Sequence, residues 1–204
     1  MMKYSKFCIV IPLLFVLGAT PNEEAAQEIK MDSSKVMVVG KEVMAASKMV
    51  VVKKIEPMKY VSISCQGDFS QVNSVFGRLF KWLSTKNLQP AGPPFGIYYD
   101  NPKEVPLDSC RYELGIPIGM EIVGDSLVQV KALDSMEVAS TVHKGSYKTV
   151  ESAWNSIYSW VYSNSYEPVG PGMEIYFNSP TEVPEDSLLT EIRVPVKKKL
   201  TTNQ

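Results

Sequence analysis

Three glutamates stand in strand-forming stretches beside aromatic or β-branched residues: Glu113 follows Tyr112, Glu174 lies two residues before Tyr176, and Glu191 follows Thr190. A carboxylate set among aromatic rings loses hydration, which raises its pKa and leaves it two uses. It can pair with a cationic ligand, the ring faces adding cation–π attraction, or it can serve as a general acid or base. Residue type does not choose between these, and a plain solvated sheet face is the alternative for Glu174 and Glu191. No residue is assigned a catalytic role. Other reactive types are scarce. One His and three Cys are too few for a Cys/His zinc cluster, no GxxxxGK[ST], GxSxG or HExxH motif occurs, and no metal or cofactor is expected. His143 ends a strand beside Lys144-Gly145 and reads as a capping or surface residue.

The elements that must position these carboxylates come from an internal repeat. Sliding the chain along itself by 78 positions brings 49–118 onto 127–196 without a gap, and 22 of the 70 pairs are identical. The identities gather where backbone geometry is demanding: Gly67 with Gly145, Pro90/Gly92/Pro93 with Pro168/Gly170/Pro171, and Glu104-Val105-Pro106 with Glu182-Val183-Pro184. Each copy opens on a strand, 58–65 or 136–143, that ends at a glycine suited to positive φ. A helix follows. Phe69, Val72, Val75, Phe76, Leu79, Phe80 and Leu83 recur at helical spacing, as do Tyr147, Val150, Ala153, Trp154, Ile157, Tyr158 and Val161, with Asp68 and Ser146 as N-caps. Two more strands close each copy, 95–100 and 110–118, then 173–178 and 188–196. The expected fold is therefore α+β: tandem β-α-β-β units about a pseudo-twofold, helices on one face and a ligand cleft between the halves.

Alternation assigns the strand faces. Leu114, Ile116 and Ile118, with Ile192, Val194 and Val196, form the face toward the helices, which turns Glu113 and Glu191 away. On the preceding strands Phe95, Ile97 and Tyr99, with Met173, Ile175 and Phe177, take the helix face and send Gly96, Tyr98, Glu174 and Tyr176 to the open side. Both carboxylates and tyrosines are thus expected on the helix-free side. Positions that differ between copies break the twofold and are candidates for a ligand: Gly96 against Glu174, Tyr112 against Thr190, Phe76 against Trp154. The candidate ligand contacts are Glu174, Glu191, Tyr176, Tyr98, Glu113, Trp154 and Tyr112, although Trp154 lies on the helical stripe, where packing is the commoner role.

Composition narrows the partners. The chain has 204 residues, 45% hydrophobic and 21% charged, with formal net charge -1, so it offers no electrostatic footprint for nucleic acid. Lys3 and Lys6 precede an uncharged run, Phe7 to Ala19, that ends in small residues; this reads as a signal peptide over 1–19, too short to span a membrane. A periplasmic or secreted protein is expected, with no integral span after cleavage. Residues 20–48 read as a flexible linker, 49–198 as one domain and 199–204 as a tail. Cys65 and Cys110, the thiols left after cleavage, are equally open to a bridge or to the free state.

These residues also carry a family resemblance. Lys144-Gly145-Ser146-Tyr147 before an aromatic helix, Gly92-Pro93-Pro94 and Gly170-Pro171 before short strands, Glu174-Ile175-Tyr176, and Thr190-Glu191-Ile192-Arg193-Val194-Pro195 together resemble the GyrI-like small-molecule-binding domain, over about 49–196. It is the fold of the effector-binding domains of AraC-type and MerR-type regulators and is shared by the SOUL proteins. The resemblance implies an aromatic cleft for lipophilic, often cationic, compounds with an acidic residue near its base, a place that Glu174 matches. Family members also include gyrase inhibitors and hydrolases of strained cyclopropane compounds that use a Glu. This chain departs from the regulators in having no helix-turn-helix domain and in its leader, so gyrase and promoter roles are not expected. The expected function is extracytoplasmic binding of a lipophilic or cationic small molecule, with hydrolysis of a reactive small molecule as the alternative and a protein-interaction groove behind both.

Overall fold

In each half a helix is laid across antiparallel strands because its apolar stripe has one sheet face to bury against. The computed structural model describes residues 49–200; the expected leader 1–19, the linker 20–48 and the end of the tail lie outside the described residues. Along the chain run β1 (Val51–Ile55), β2 (Met58–Gln66), α1 (Val72–Thr85), β3 (Phe95–Tyr98) and β4 (Arg111–Ile118). Then follow β5 (Gln129–Leu133), β6 (Met136–Lys144), α2 (Glu151–Ser163), β7 (Tyr166–Pro168), β8 (Gly172–Tyr176) and β9 (Leu189–Lys198). The fold is α+β, a curled antiparallel sheet with few helices. No helix among the described residues is long and apolar enough to cross a membrane.

Strand order is β1-β6-β9-β8-β3-β4-β2-β5, with β7 paired to the end of β9. The first strand of each segment is exchanged: β1 pairs with β6 and β5 pairs with β2. Sequence reading missed β1, β5 and β7. The center of the sheet is the β3–β8 pair, where the two segments meet.

Val72, Val75, Leu79 and Leu83 of α1, and Trp154, Ile157 and Val161 of α2, are buried against Val61, Ile63, Leu114, Ile116, Ile192 and Val194. Gly67 and Gly145 adopt φ of 113° and 134°, a region costly for other residues, and so turn each strand toward its helix. Asp68 and Ser146 do cap, but at the short 3-10 turn before each α-helix, accepting from the amides of Ser70 and Lys148. Cys65 and Cys110 are both free.

The expected phase of the central strands is reversed. Direct partners in an antiparallel pair project to the same face. Register sets Gly96 opposite Leu114, Tyr98 opposite Tyr112 and Glu174 opposite Ile192, so Gly96, Tyr98, Glu174 and Tyr176 face the helices. Phe95, Ile97, Met173 and Ile175 take the helix-free face, where Ile97 lies opposite Glu113 and Ile175 opposite Glu191. These four apolar residues are 1–5% exposed there and pack with Tyr60. Because both sides of the strands are buried, hydrophobicity alone could not tell them apart.

Candidate functional site

Glu174 is the centre of a buried polar chain on the helix face. The indole Nε1 of Trp154, on α2, donates to its Oε1 at 2.7 Å, and the Tyr176 hydroxyl donates to its Oε2 at 2.8 Å. Tyr98 and Tyr176 hydroxyls are 2.6 Å apart. Tyr176 has one proton and gives it to Glu174, so Tyr98 must donate to Tyr176. Tyr98, Trp154 and Glu174 are 1%, 0% and 0% exposed.

Two glycines make room for this chain. A Cβ on Gly172 would stand 2.4 Å from the Trp154 ring, and one on Gly96 would stand 2.9 Å from the Tyr98 ring. Tyr112 supports the chain from outside: its ring stacks on Tyr98 with centroids 6.1 Å apart, and its hydroxyl donates to the Asp68 carbonyl at 2.9 Å.

Burial pushes the Glu174 carboxyl above the ordinary carboxylate range, against the hydrogen bonds from Trp154 and Tyr176, which work to lower it. Burial and the Glu174 charge push the Tyr98 and Tyr176 hydroxyls well above theirs, although Tyr98 gains some relief from its bond to Tyr176. Both tyrosines therefore remain proton donors across the working pH range.

In front of Tyr176 opens a cleft of about 460 Å³ between α1 and the segment after β8. Phe76 and Phe80 of α1, Pro93, Tyr147, Tyr176 and Phe177 supply its apolar wall. The Tyr176 ring meets Phe76 and Tyr147 edge-on, each with centroids 5.7 Å apart. One side of Tyr176 thus lines the cleft while its hydroxyl holds Glu174 behind it. Phe76 is one of the asymmetric positions the sequence offers for a ligand, through its mismatch with Trp154, whereas Phe80 and Tyr147 read only as members of the helical stripes.

The structure does not bring the other two glutamates to this cleft. Glu113 and Glu191 lie on the opposite face, and the expected grouping of all three carboxylates on one side is corrected by the register described above. Glu113, 2% exposed, accepts from Lys131 at 2.5 Å and Tyr99 at 3.3 Å. Glu191, also 2% exposed, accepts from Lys53 and Ser140 at 2.5 Å and from Arg193 at 2.6 Å. The lysines come from β5 and β1, the unread strands, and stand 78 positions apart as the glutamates do. Their identity across the repeat was the available signal. His143 makes local turn contacts, its Nε2 lying 3.1 Å from the Ser146 carbonyl and 3.2 Å from the Thr149 hydroxyl.

Burial works to raise Glu191, but the hydrogen bond and charge of Arg193, with Lys53 and Ser140, outweigh it and hold the carboxyl below the ordinary 4.5. A folded-state pKa below the unfolded one gives stability that is present above pH 4.5 and is lost as pH falls through the folded value. Glu191→Gln is expected to cost about 2 kcal/mol at neutral pH, less than a fully buried pair because Lys53 is 43% exposed. Urea unfolding as a function of pH checks this: the acid limb should become shallower in the variant, and an unchanged limb would mean the pairing adds nothing.

A family model described as the GyrI-like small molecule binding domain matches residues 48–197. No match is found among curated proteins. Among solved structures, the chain is similar to EcmrR in a DNA complex (TM-score 0.68, 17% identity), covering 82% of this chain and 64% of EcmrR, so it spans less than two thirds of that protein. It is also similar to a hydrolase from Listeria innocua (0.58, 12%; 78% of this chain, 97% of that one). A third similar structure is SAV2435 bound to tetraphenylphosphonium (0.51, 15%; 73% and 94%). These identities speak to the fold alone, and it is the family model, spanning the whole curled sheet and the aromatic cleft, that decides membership: the chain belongs to the GyrI-like small-molecule-binding domain family.

Proposed function

We propose that the protein binds a lipophilic cation in the cleft before Tyr176, with Glu174 as the countercharge, and that it does so outside the cytoplasm. The observation that carries this is a contrast among three buried glutamates. Glu113 and Glu191 each have a lysine partner, whereas among the described residues Glu174 has hydrogen-bond donors and no lysine or arginine. A buried carboxylate without a cation is costly, and a bound cation relieves that cost. Phe76, Tyr147 and Tyr176 offer ring faces and edges to an apolar body, and the Tyr176 ring is all that stands between the cleft and the carboxylate its buried hydroxyl holds. The extracytoplasmic part rests on the pattern of Lys3, Lys6 and the uncharged run 7–19.

Hydrolysis would need water at Glu174, which is 0% exposed behind Tyr176, so binding is preferred to turnover. Calorimetric titration with tetraphenylphosphonium and with tetraphenylborate, nearly the same shape with opposite charge, tests the reading. The cation is expected to bind at one site and the anion at least about tenfold more weakly, roughly 1.4 kcal/mol. Equal affinity, or no binding of the cation, would remove the electrostatic argument. Mass spectrometry of candidate natural ligands after incubation should recover them unaltered; a changed product would make the protein an enzyme.

A further inference from the structure

The helix-free face holds a second cavity, of about 480 Å³, between β2, the segment before β3, the end of β4 and the centre of the sheet. Met58, Phe95, Met120 and Ile175 give it apolar walls, and Arg193 is its half-buried cation. The Arg193 side chain is 18% exposed; its Nη2 donates to Glu191, while its Nε is buried and has no acceptor among the described residues. Glu191 is already shared with Lys53, so this cluster has two cations for one carboxylate. It carries a surplus positive charge and a buried donor that no acceptor among the described residues receives. At the rim Lys59 is paired with Glu121 and adds no further net charge.

Position 193 also breaks the repeat. Its counterpart 78 residues earlier is Gly115, where a Cβ would stand 2.7 Å from the Phe95 ring and 2.9 Å from the Tyr60 ring. The first segment fills this place with rings, and the second supplies a guanidinium. Only one such cation therefore faces the cavity from these two positions. A guanidinium with a free N–H favours a planar oxyanion, and the neighbouring apolar walls favour a hydrocarbon body.

We propose that this cavity is a second ligand site that takes an amphipathic monoanion of the alkyl carboxylate class. The carboxylate accepts from Arg193 Nε, and the chain lies along Phe95, Ile175, Met58 and Met120. It opens on the face of the sheet opposite the cleft at Tyr176, the two meeting only at Pro93, and it selects the opposite charge, so the two sites do not compete for one ligand.

The test uses the full chain and sodium decanoate, with decyltrimethylammonium as the cationic control. Decanoate should bind with one-to-one stoichiometry, Arg193→Gln should weaken it at least tenfold, and saturating tetraphenylphosphonium should leave its affinity unchanged. In the unsubstituted protein, the Arg193 Nε–H nuclear magnetic resonance signal should move on decanoate addition, a readout that survives if the variant folds poorly. The proposal is overturned by no decanoate binding, by affinity indifferent to Arg193→Gln, by an unmoved Nε–H signal, by displacement with tetraphenylphosphonium, or by equal binding of decyltrimethylammonium.

Discussion

Replacing Glu174 by Gln is expected to weaken tetraphenylphosphonium binding about a hundredfold while leaving the unfolding free energy close to unchanged. Losing one partner of a desolvated charge pair costs about 3 kcal/mol, which is roughly that factor in affinity. The fold tolerates the exchange because two effects oppose each other. Gln keeps an acceptor for the Trp154 indole, which donates to Glu174 at 2.7 Å, but its amide cannot accept from Tyr176, so one hydroxyl proton in the tyrosine chain loses its acceptor. Against that, a buried carboxylate no longer has to be kept from water. The pH dependence gives a second reading of the same variant. Burial raises the folded pKa of Glu174 above 4.5, so the apo fold pays a growing penalty as pH rises from about that value through the raised one. Only the ionised form attracts a cation, so affinity should increase with pH over the same interval, and the Gln variant should lack that slope. Calorimetry at several pH values measures both, and an unaltered affinity in the variant would sink the assignment of Glu174.

Gly172→Ala should be among the most damaging single-methyl changes in the domain, at about 3 kcal/mol, the upper part of the overpacking range. The new Cβ would lie 2.4 and 2.5 Å from two ring carbons of Trp154. That ring has nowhere to go. It is fully buried, hydrogen-bonded to Glu174 and stacked on Tyr158 with centroids 6.0 Å apart. The expected loss in thermal midpoint is roughly 10 °C for a domain of this size. Gly77→Ala in α1 is the matched control: its Cβ meets nothing within 4 Å, and Ala in a helix interior should gain about 0.5–1 kcal/mol. Equal midpoints for the two variants would show that Trp154 yields more freely than its contacts imply.

Much of this architecture was legible because geometry left marks in residue type. Gly67 and Gly145 marked the turns at positive φ, and the apolar stripes of α1 and α2 marked the helices. The phase of β4 and β9 could be read from Glu113 and Glu191 among isoleucines, leucine and valine. The phase of β3 and β8 could not. Phe95 and Ile97 on one side and Tyr98 on the other are all buried, and what separates them is a partner on another strand, Ile97 lying opposite Glu113. That error put three carboxylates in one group and hid the difference between two ion-paired glutamates and one that has no lysine or arginine partner among the described residues. The repeat itself was the better guide to the site. Gly96 against Glu174 and Phe76 against Trp154 were read separately as departures from the twofold, and in the structure Glu174 and Trp154 share a hydrogen bond while Phe76 faces Tyr176. The strands β1 and β5 escaped notice because five residues at a sheet edge, all but Ile55 exposed or half-buried, show little alternation.

The exchange of β1 and β5 between the two segments bears on how the chain reaches this state. Val51 pairs with Ser140 and Ile55 with Met136, so the first strand waits for partners more than 80 residues downstream. Such pairing closes a long loop, and closing long loops slows folding. Neither segment cut out alone would retain both of its outer strands, so the halves are committed to one cooperative transition. A ligand gripping Phe76 from the first segment and Tyr147 from the second would fasten the chain at its most non-local seam, and its binding energy would be felt as resistance of the entire domain to unfolding.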